Sequence, residues 1–205
     1  VSSAASDVYK RQIETDRGDM MIFPLGMSGR WRIDPAEIGA HDHLLLETGN
    51  GHLLSLNDPR RFGSLDLVRS DAWQGYAPFT RMGPEPLGPD FDAAYLAKVL
   101  DGKATSIKAA LLDQRIVAGL GNIYVCEALN MAGIAPTRAA GRISKPRLTL
   151  LVEAIRTVLS AAIVAGGSTL RDYARPDGEL GYFSNQWRVY AVSYTHLTLP
   201  TILLV

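Results

Sequence analysis

The chain has 205 residues, of which 47% are hydrophobic and 20% are charged, and its formal net charge is zero. This composition is ordinary for a globular protein of one large or two small domains, and it excludes a protein that is basic overall, so that any basic surface must be local. The sequence contains no run of about 18 apolar residues, so we expect no membrane span. The single cysteine, Cys126, excludes an internal disulfide and fits a reducing cytoplasm.

The two ends of the chain differ in pattern from the rest. Residues 1–12 show no apolar period and no helix caps, and residues 191–205 follow a well-patterned segment abruptly. We interpret both as non-native tails of adapter or vector origin; the alternative is a native disordered head and a native terminal strand. On the first interpretation the chain is an internal fragment of a longer protein.

Residues 13–79 are predicted to form a β-rich domain, because short apolar stretches alternate with Gly, Asp and Asn. TGNGH at 48–52 predicts a hairpin turn, since Asn-Gly supplies positive φ angles. FGSLDLV at 62–68 predicts a further strand. Residues 80–90 are rich in Pro and Gly and predict a hinge.

From Phe91 the apolar period becomes helical, and residues 91–190 are predicted to form a helical domain. The last helix has Ser144 as its cap and ends at Gly166-Gly167. A loop rich in Gly, Asp and aromatic residues then leads to a predicted short strand, QWRVY. A β-rich half followed by a helical half predicts an α+β fold in two domains. The predicted helices cover 90–100, 106–114, 121–133 and 144–165.

The stretch GLGNIY, beginning at Gly119, places two glycines directly before a helix. A helix start carries unsatisfied N–H groups and partial positive charge, and glycines let an anion approach them closely. Asn122 could donate its amide to the same phosphate. The alternative, at least as favoured by the spacing alone, is a glycine turn between two helices with Asn122 as the cap.

The stretch DPRRFG places two guanidinium groups and an aromatic ring on a tight loop. Arg60 and Arg61 suit base edges or phosphate, and Phe62 suits insertion between stacked bases. The alternative, which the loop by itself favours, is arginine–aspartate pairing on the surface with Phe62 in the core.

Three further features have both a functional and a structural interpretation. Met27, between two glycines, can fill a void from a loop tip or pack in the core. His41 and His43 share a face if extended; with no third ligand nearby, a phosphate contact or a buried hydrogen bond is favoured over a metal. Lys103 and Lys108 can follow a nucleic-acid backbone or be solvated.

The order of these motifs is more specific than any one of them. Between Ile13 and Tyr190, the segments LGMSG, HDH, DPRRFG, GPEPLG, VAGLGNIY and GGSTLRDY…DGELGYF…VY resemble the bacterial formamidopyrimidine-DNA glycosylases. The resemblance implies an N-terminal β-sandwich followed by a helical domain with a helix–two-turn–helix motif. It also implies a longer, monomeric parent in the bacterial nucleoid, without a membrane partner and with one structural zinc in a C-terminal finger.

The resemblance implies a base-excision repair enzyme for damaged double-stranded DNA. Its substrates would be oxidised purines (8-oxoguanine and formamidopyrimidines), removed by Schiff-base chemistry of an N-terminal amine and β,δ-elimination. It also assigns roles by position. The DNA-binding residues are His41, Arg60, Lys103, Asn122, Lys108 and Gly121; the void-filling residues are Met27, Arg60 and Phe62; the lesion-capping loop includes Ser168, Thr169, Tyr182 and Tyr190.

The sequence also departs from the family pattern. The family's nucleophilic proline and adjacent glutamate have no counterpart, and no cysteine follows Tyr190 to form the finger. The context of Lys10 does not match the family's catalytic lysine. We therefore expect no catalytic residue, metal or cofactor in this chain, which would be inactive as it stands and retain mainly damaged-DNA binding. The alternative hypothesis is a helix–two-turn–helix DNA-binding module without enzymatic role.

Overall fold

A computed structural model describes residues 11–26, 28–167 and 182–191. These residues divide into two compact units. Of the described residues, the β unit contains 11–26, 28–77, 165–167 and 182–184, and the helical unit contains 78–164 and 185–191. The α+β fold class is confirmed.

The β unit contains two three-stranded antiparallel sheets. In the first, with strand order β1–β2–β6, Met21 is opposite both Ile13 and Leu67. In the second, with order β3–β5–β4, Leu56 is opposite both Trp31 and Leu44. The strands are β1 (Arg11–Glu14), β2 (Asp19–Phe23), β3 (Arg30–Ile33), β4 (Asp42–Glu47), β5 (Leu53–Asn57) and β6 (Asp66–Arg69).

One small apolar core joins the two sheets. Phe23 of β2 and Leu56 of β5 are buried in it together with Leu25, and the Trp31 ring packs edge-on against Phe23 with ring centroids 4.9 Å apart. Alternate residues of β4, such as Leu44 and Leu46, contribute to the same cluster, as the period of a half-buried strand predicts.

The predicted hairpin turn joins β4 to β5. Thr48 and His52 close it through the bond from the Thr48 N–H to the His52 carbonyl, 2.9 Å. Only Gly51 takes a positive φ, 84°. The expectation that Asn50 also does so was wrong, because the longer loop needs a single left-handed residue where a two-residue turn needs two.

The helical unit is built on the long helix α5, which packs against α2 and α4. Buried leucine and isoleucine side chains, among them Leu151 and Ile155, form its inner face. None of the helices in the described ranges is both long and apolar enough to cross a bilayer. The helices are α1 (Ala77–Thr80), α2 (Ala93–Leu100), α3 (Ile107–Leu112), α4 (Asn122–Met131) and α5 (Lys145–Val164).

Side-chain caps fix the starts of α2 and α3. Asp92 accepts from the Tyr95 N–H at 2.6 Å, and Ser106 accepts from the Ala109 N–H at 3.2 Å. These are local bonds of the kind that short polar residues before a helix predict. The predicted helices therefore form with boundaries shifted by a few residues.

The Pro- and Gly-rich segment 80–90 consists of turns bonded to the helical unit. The Arg156 guanidinium donates to the carbonyls of Gly88 and Phe91 at 3.1 and 2.8 Å. The Ala118 N–H donates to the Pro84 carbonyl at 3.0 Å. Helix α1 extends one residue into this segment, to Thr80. A hinge role for 80–90 stays a prediction.

Two predicted strands differ from the structure. FGSLDLV forms a strand only from Asp66, because the Gly63 N–H donates to the Asp58 carboxylate. QWRVY is not a strand: its first residue, Gln186, ends a 3-10 helix at Phe183–Gln186, and the N–H groups of residues 188–190 bond to a side chain, described below. Backbone groups that are already bonded cannot join a sheet ladder.

Candidate nucleic-acid contacts

Two turns connect the end of α3 to the start of α4. The predicted helix–two-turn–helix motif is therefore present. Gln114 holds the connecting loop: its Oε1 accepts from the Gly119 N–H at 2.6 Å. Gly119 has a φ of 73°, a left-handed conformation that glycine takes at little cost. This local geometry explains the first glycine of GLGN.

The second glycine has a different role. Gly121 is the N-cap of α4 in an extended conformation, φ −102°, which any residue adopts, and it forms no side-chain cap. Asn122 is therefore the first helical residue and not the cap, which corrects that alternative. Because the cap is a glycine, no side chain of the cap accepts from the first N–H groups of α4. The polar side chain of Asn122 lies beside them.

Tyr190 brings a second donor to this helix start. The Asn122 Nδ2 lies 3.4 Å from the Tyr190 hydroxyl oxygen, and the Cys126 Sγ is 3.8 Å from the Asn122 Oδ1. The Tyr190 ring meets the Trp187 ring edge-to-face with centroids 5.2 Å apart. An amide and a hydroxyl at a helix N-terminus are suited to bind an anion.

Glu127, which the sequence analysis did not single out, lies one turn further along α4. It is 3% exposed, and its carboxylate accepts from three successive backbone N–H groups. Sequence pattern offers no sign of this arrangement, because the partners are more than 60 positions away. The donors are Arg188 (2.8 Å), Val189 (3.0 Å) and Tyr190 (2.8 Å).

In the β unit, the DPRRFG loop is organised by the buried carboxylate of Asp58. It accepts from the Ser28 hydroxyl at 2.5 Å and from the Gly63 N–H at 2.7 Å. Burial raises the pKa of Asp58, but the hydrogen bonds, led by that from Ser28, outweigh it and hold the pKa below its ordinary value. The LGMSG and DPRRFG segments are therefore joined at this carboxylate.

This loop presents an arginine and an aromatic ring to the surface. Phe62 is 60% exposed, which corrects the alternative that it packs in the core. The Arg60 guanidinium carbon lies 4.6 Å from the centre of the Phe62 ring, a cation–π contact. Arg61 has a φ of 55°, an uncommon conformation for a residue other than glycine and one that is enriched at ligand-binding loops.

The HDH segment contacts the same loop. The His41 carbonyl accepts from the Asp58 N–H at 2.9 Å, and the His43 Nε2 lies 3.0 Å from the Asp58 carbonyl. Between the two histidines, Asp42 accepts from Ser55 at 2.5 Å and pairs with Arg32 at 3.0 Å. Two buried carboxylates therefore fix the backbone that carries His41 and Arg60.

Lys103 and Lys108 lie on either side of the start of α3 in the helical unit. Lys103, in the turn after α2, is exposed, and its carbonyl accepts from the Gly141 N–H at 2.9 Å. Lys108 is in the first turn of α3, with its N–H bonded to the Pro136 carbonyl. Their predicted DNA contacts stay predictions.

Part of the predicted capping loop lies outside the described residues, as does the void-filling residue Met27. Ser168 and Thr169 are among them. Tyr182 is described and is 66% exposed. Its N–H donates to the Ala165 carbonyl at 3.0 Å, so the chain before the loop and the chain after it meet at that point.

The described residues do not fit the zinc site that the resemblance implies for the parent. Four-ligand zinc sites of this class use several cysteines, whereas Cys126 is the one cysteine of the chain and contacts Asn122. Over 11–26, 28–167 and 182–191, no group of three His, Cys, Asp or Glu side chains could hold a metal ion.

A β unit followed by a helical unit, with two turns between α3 and α4, defines the class: an α+β protein with a helix–two-turn–helix motif. Two family models match this chain: the formamidopyrimidine-DNA glycosylase N-terminal domain over residues 10–65 and its H2TH domain over residues 82–174. Both units are therefore covered, one by each model.

Relatives and solved structures agree with these models. The formamidopyrimidine-DNA glycosylases of Rhizorhabdus wittichii and Novosphingobium aromaticivorans are 73% and 64% identical over 178 residues, covering 87% of this chain and 66% of each relative. The crystal structure of the MutM (Fpg) protein from Thermus thermophilus has 37% identity and a TM-score of 0.81, over 89% of this chain and 68% of that one. The Lactococcus lactis Fpg in complex with abasic-site DNA has 34% identity and a TM-score of 0.81, over 89% and 67%.

The chain belongs to the formamidopyrimidine-DNA glycosylase family. It spans slightly less than two thirds, 66%, of the length of the curated relatives described above.

Proposed function

We propose that the whole protein is a base-excision repair DNA glycosylase/AP lyase that acts on oxidised purines in duplex DNA. The observation that supports this most directly is the match of both family models in order along one chain. The solved relatives from Lactococcus lactis were crystallised with DNA containing Fapy-dG or an abasic site. From the family resemblance we also propose that 8-oxoguanine is a substrate and that the protein acts at the bacterial nucleoid.

The described residues support a binding role. At the start of α4, Asn122 and Tyr190 offer two donors to a phosphate; in the β unit, Arg60 and Phe62 offer a cation and an aromatic ring. Phosphate contacts position a protein on a duplex, and side chains at base edges discriminate sequence or lesion. We assign Asn122 and Tyr190 to positioning the protein on the duplex. We assign Arg60 and Phe62 to the interior of the DNA duplex, at the space left by an extruded nucleotide.

The chemistry is assigned to the whole protein and not to these residues. Schiff-base formation requires an amine nucleophile, and we find no family nucleophile among residues 13–190. We propose that the chain as given binds damaged DNA without cleaving it, that the parent carries the zinc finger, and that the parent acts as a monomer.

Binding and trapping experiments test this proposal. The 205-residue chain is titrated with a duplex bearing one tetrahydrofuran abasic analogue, and with the same duplex undamaged, at fixed salt because the phosphate contribution is salt-dependent. We expect tighter binding to the abasic duplex, and no borohydride-trapped adduct with a natural abasic site. Equal affinity for both duplexes would contradict the binding proposal, and an adduct formed at the rate of a full-length relative would contradict the assignment of the chemistry.

A non-catalytic helix–two-turn–helix module is the second candidate. The helix–two-turn–helix motif of α3 and α4 by itself fits this candidate, whereas the match of the N-terminal domain model over 10–65 counts against it. The full reading frame distinguishes the two: a start resembling PELPE and a downstream Cys-x-x-Cys pair would establish the enzyme.

A further inference from the structure

Glu127 is a buried acidic side chain to which the proposed function has so far given no role. Its two carboxylate oxygens accept from the N–H groups of residues 188–190, at 2.8 to 3.0 Å. The side chain is 3% exposed. Burying a carboxylate is costly unless hydrogen bonds replace its water, and three N–H donors do so here.

The backbone that Glu127 holds has no regular structure of its own. Residues 187–191 lie outside every helix and strand of the described chain, so their N–H groups lack the partners that a ladder would provide. Successive N–H groups in such a turn form a concavity that attracts an anion. In this protein the Glu127 carboxylate occupies that concavity from within the chain.

Tyr190 is the last of these three residues, so its backbone position is set by Glu127. Its ring packs against Trp187, and its hydroxyl lies 3.4 Å from the Asn122 amide. Glu127 itself is five residues beyond Asn122, about 7.5 Å along the helix axis. The carboxylate therefore faces the 188–190 backbone, while the hydroxyl and the amide meet at the helix start.

We propose that Glu127 is a positioning residue of the phosphate-binding site at the start of α4. It does not touch DNA; it fixes residues 188–190 so that the Tyr190 hydroxyl and the Asn122 amide can donate to the same phosphate group. This inference rests on the proposed function, because it takes the helix start to be a DNA contact.

A double-mutant cycle tests the coupling between Glu127 and Tyr190. Glu127→Gln keeps the shape of the side chain but turns an NH₂ group toward a backbone donor. In the full 205-residue chain we expect it to weaken binding of the tetrahydrofuran duplex about tenfold. In the Tyr190→Phe background, which lacks the hydroxyl, we expect the same change to weaken binding less than about twofold. Glu153→Gln, an exposed glutamate on α5, is the matched control.

Hydrogen exchange separates positioning from general stability. In Glu127→Gln we expect the amides of 188–190 to lose protection while those within α4, such as Val125 and Ala128, keep it. Loss of protection throughout α4 would make the role of Glu127 purely structural and overturn the proposal. Protection unchanged at 188–190 would overturn it as well.

The binding outcomes are equally separable. If the unmodified chain fails to prefer the tetrahydrofuran duplex, the proposed function fails, whatever Glu127 does. If it binds and Glu127→Gln binds equally well, or if the loss is the same with and without the Tyr190 hydroxyl, the positioning role is wrong. A loss that requires the hydroxyl supports it.

Discussion

At the scale of single residues, two side chains in different units are assigned different tasks. Asn122 contributes an amide at a helix start, whereas Arg60 lies on an exposed loop against an aromatic ring. A phosphate contact affects binding of all duplexes alike, and a contact to a base edge depends on which base is present. This difference can be measured with single substitutions.

We expect Asn122→Ala to weaken binding of abasic duplexes by about 1–3 kcal/mol, the cost of a hydrogen bond to a charged group, whatever base lies opposite. Arg60→Ala should alter the ranking of the four opposing bases. Binding is measured at fixed salt with each opposing base. The controls are Asn130→Ala, near the other end of α4, and Arg17→Ala, on the exposed β1–β2 turn. A changed ranking in Asn122→Ala with an unchanged ranking in Arg60→Ala would reverse the two roles.

Asp42 illustrates how a buried carboxylate couples the β unit to pH. Burial raises its pKa, but hydrogen bonds from Ser55, Gly39 and Asn57 and the Arg32 charge outweigh it and lower the pKa to about 2. Because this pKa is below its value in the unfolded chain, the stabilisation is complete above about pH 4 and is lost as the pH falls toward 2.

We expect Asp42→Asn to lower the free energy of unfolding at pH 7 by about 1–3 kcal/mol, since an amide turns two donors toward donors. The difference from the unmodified chain should shrink as the pH falls from 4 toward 2. Urea unfolding followed by Trp31 fluorescence measures it, with Asp16→Asn on the β1–β2 turn as the control. A difference that is constant across this range would show that the charge of Asp42 is not what stabilises the unit.

At the scale of elements, the β4–β5 hairpin offers a matched pair of glycines. Gly49 and Gly51 both have open space where a Cβ would be, but only Gly51 has a positive φ, 84°. A difference between alanine substitutions at the two sites therefore reports backbone conformation alone.

We expect Gly51→Ala to lower the free energy of unfolding of the β unit by about 1–2 kcal/mol, the cost of a left-handed residue with a side chain. Gly49→Ala should be neutral or slightly stabilising, because it reduces the entropy of the unfolded chain. Urea unfolding of both variants measures this. Equal effects would mean that the turn relaxes to a conformation without a left-handed residue.

At the scale of the whole molecule, each unit has a core of its own. That of the β unit is a small cluster around Phe23, Leu25 and Leu56. The helical unit buries a longer series of side chains along α5, including Leu148, Leu151 and Ile155. Units with separate cores unfold in separate steps unless something couples them.

We expect two unfolding transitions, with the β unit the first to unfold because less apolar surface stabilises it. Trp31 reports the β unit and Trp187 the helical unit, in variants that also carry Trp73→Phe. Gly51→Ala should lower the midpoint seen by Trp31 and leave that of Trp187 unchanged. A single transition in which both midpoints shift together would show one cooperative unit.

The sequence by itself determined the features that depend on near neighbours. Apolar periodicity predicted the helices and most strands, and the order of motifs from LGMSG to GLGNIY identified the family. These succeed because helix periods, caps and turns involve residues a few positions apart, where the chain has few conformations to choose from.

Tertiary structure decided the features that join distant positions. Glu127 reaches residues 188–190, more than 60 positions away, and so converts a predicted strand, QWRVY, into a bonded turn. Asp58 binds Ser28, 30 positions away, which leaves Phe62 on the surface where the local pattern favoured the core. The reason is physical: a buried carboxylate must find donors wherever the fold brings them, and no local period records where they are.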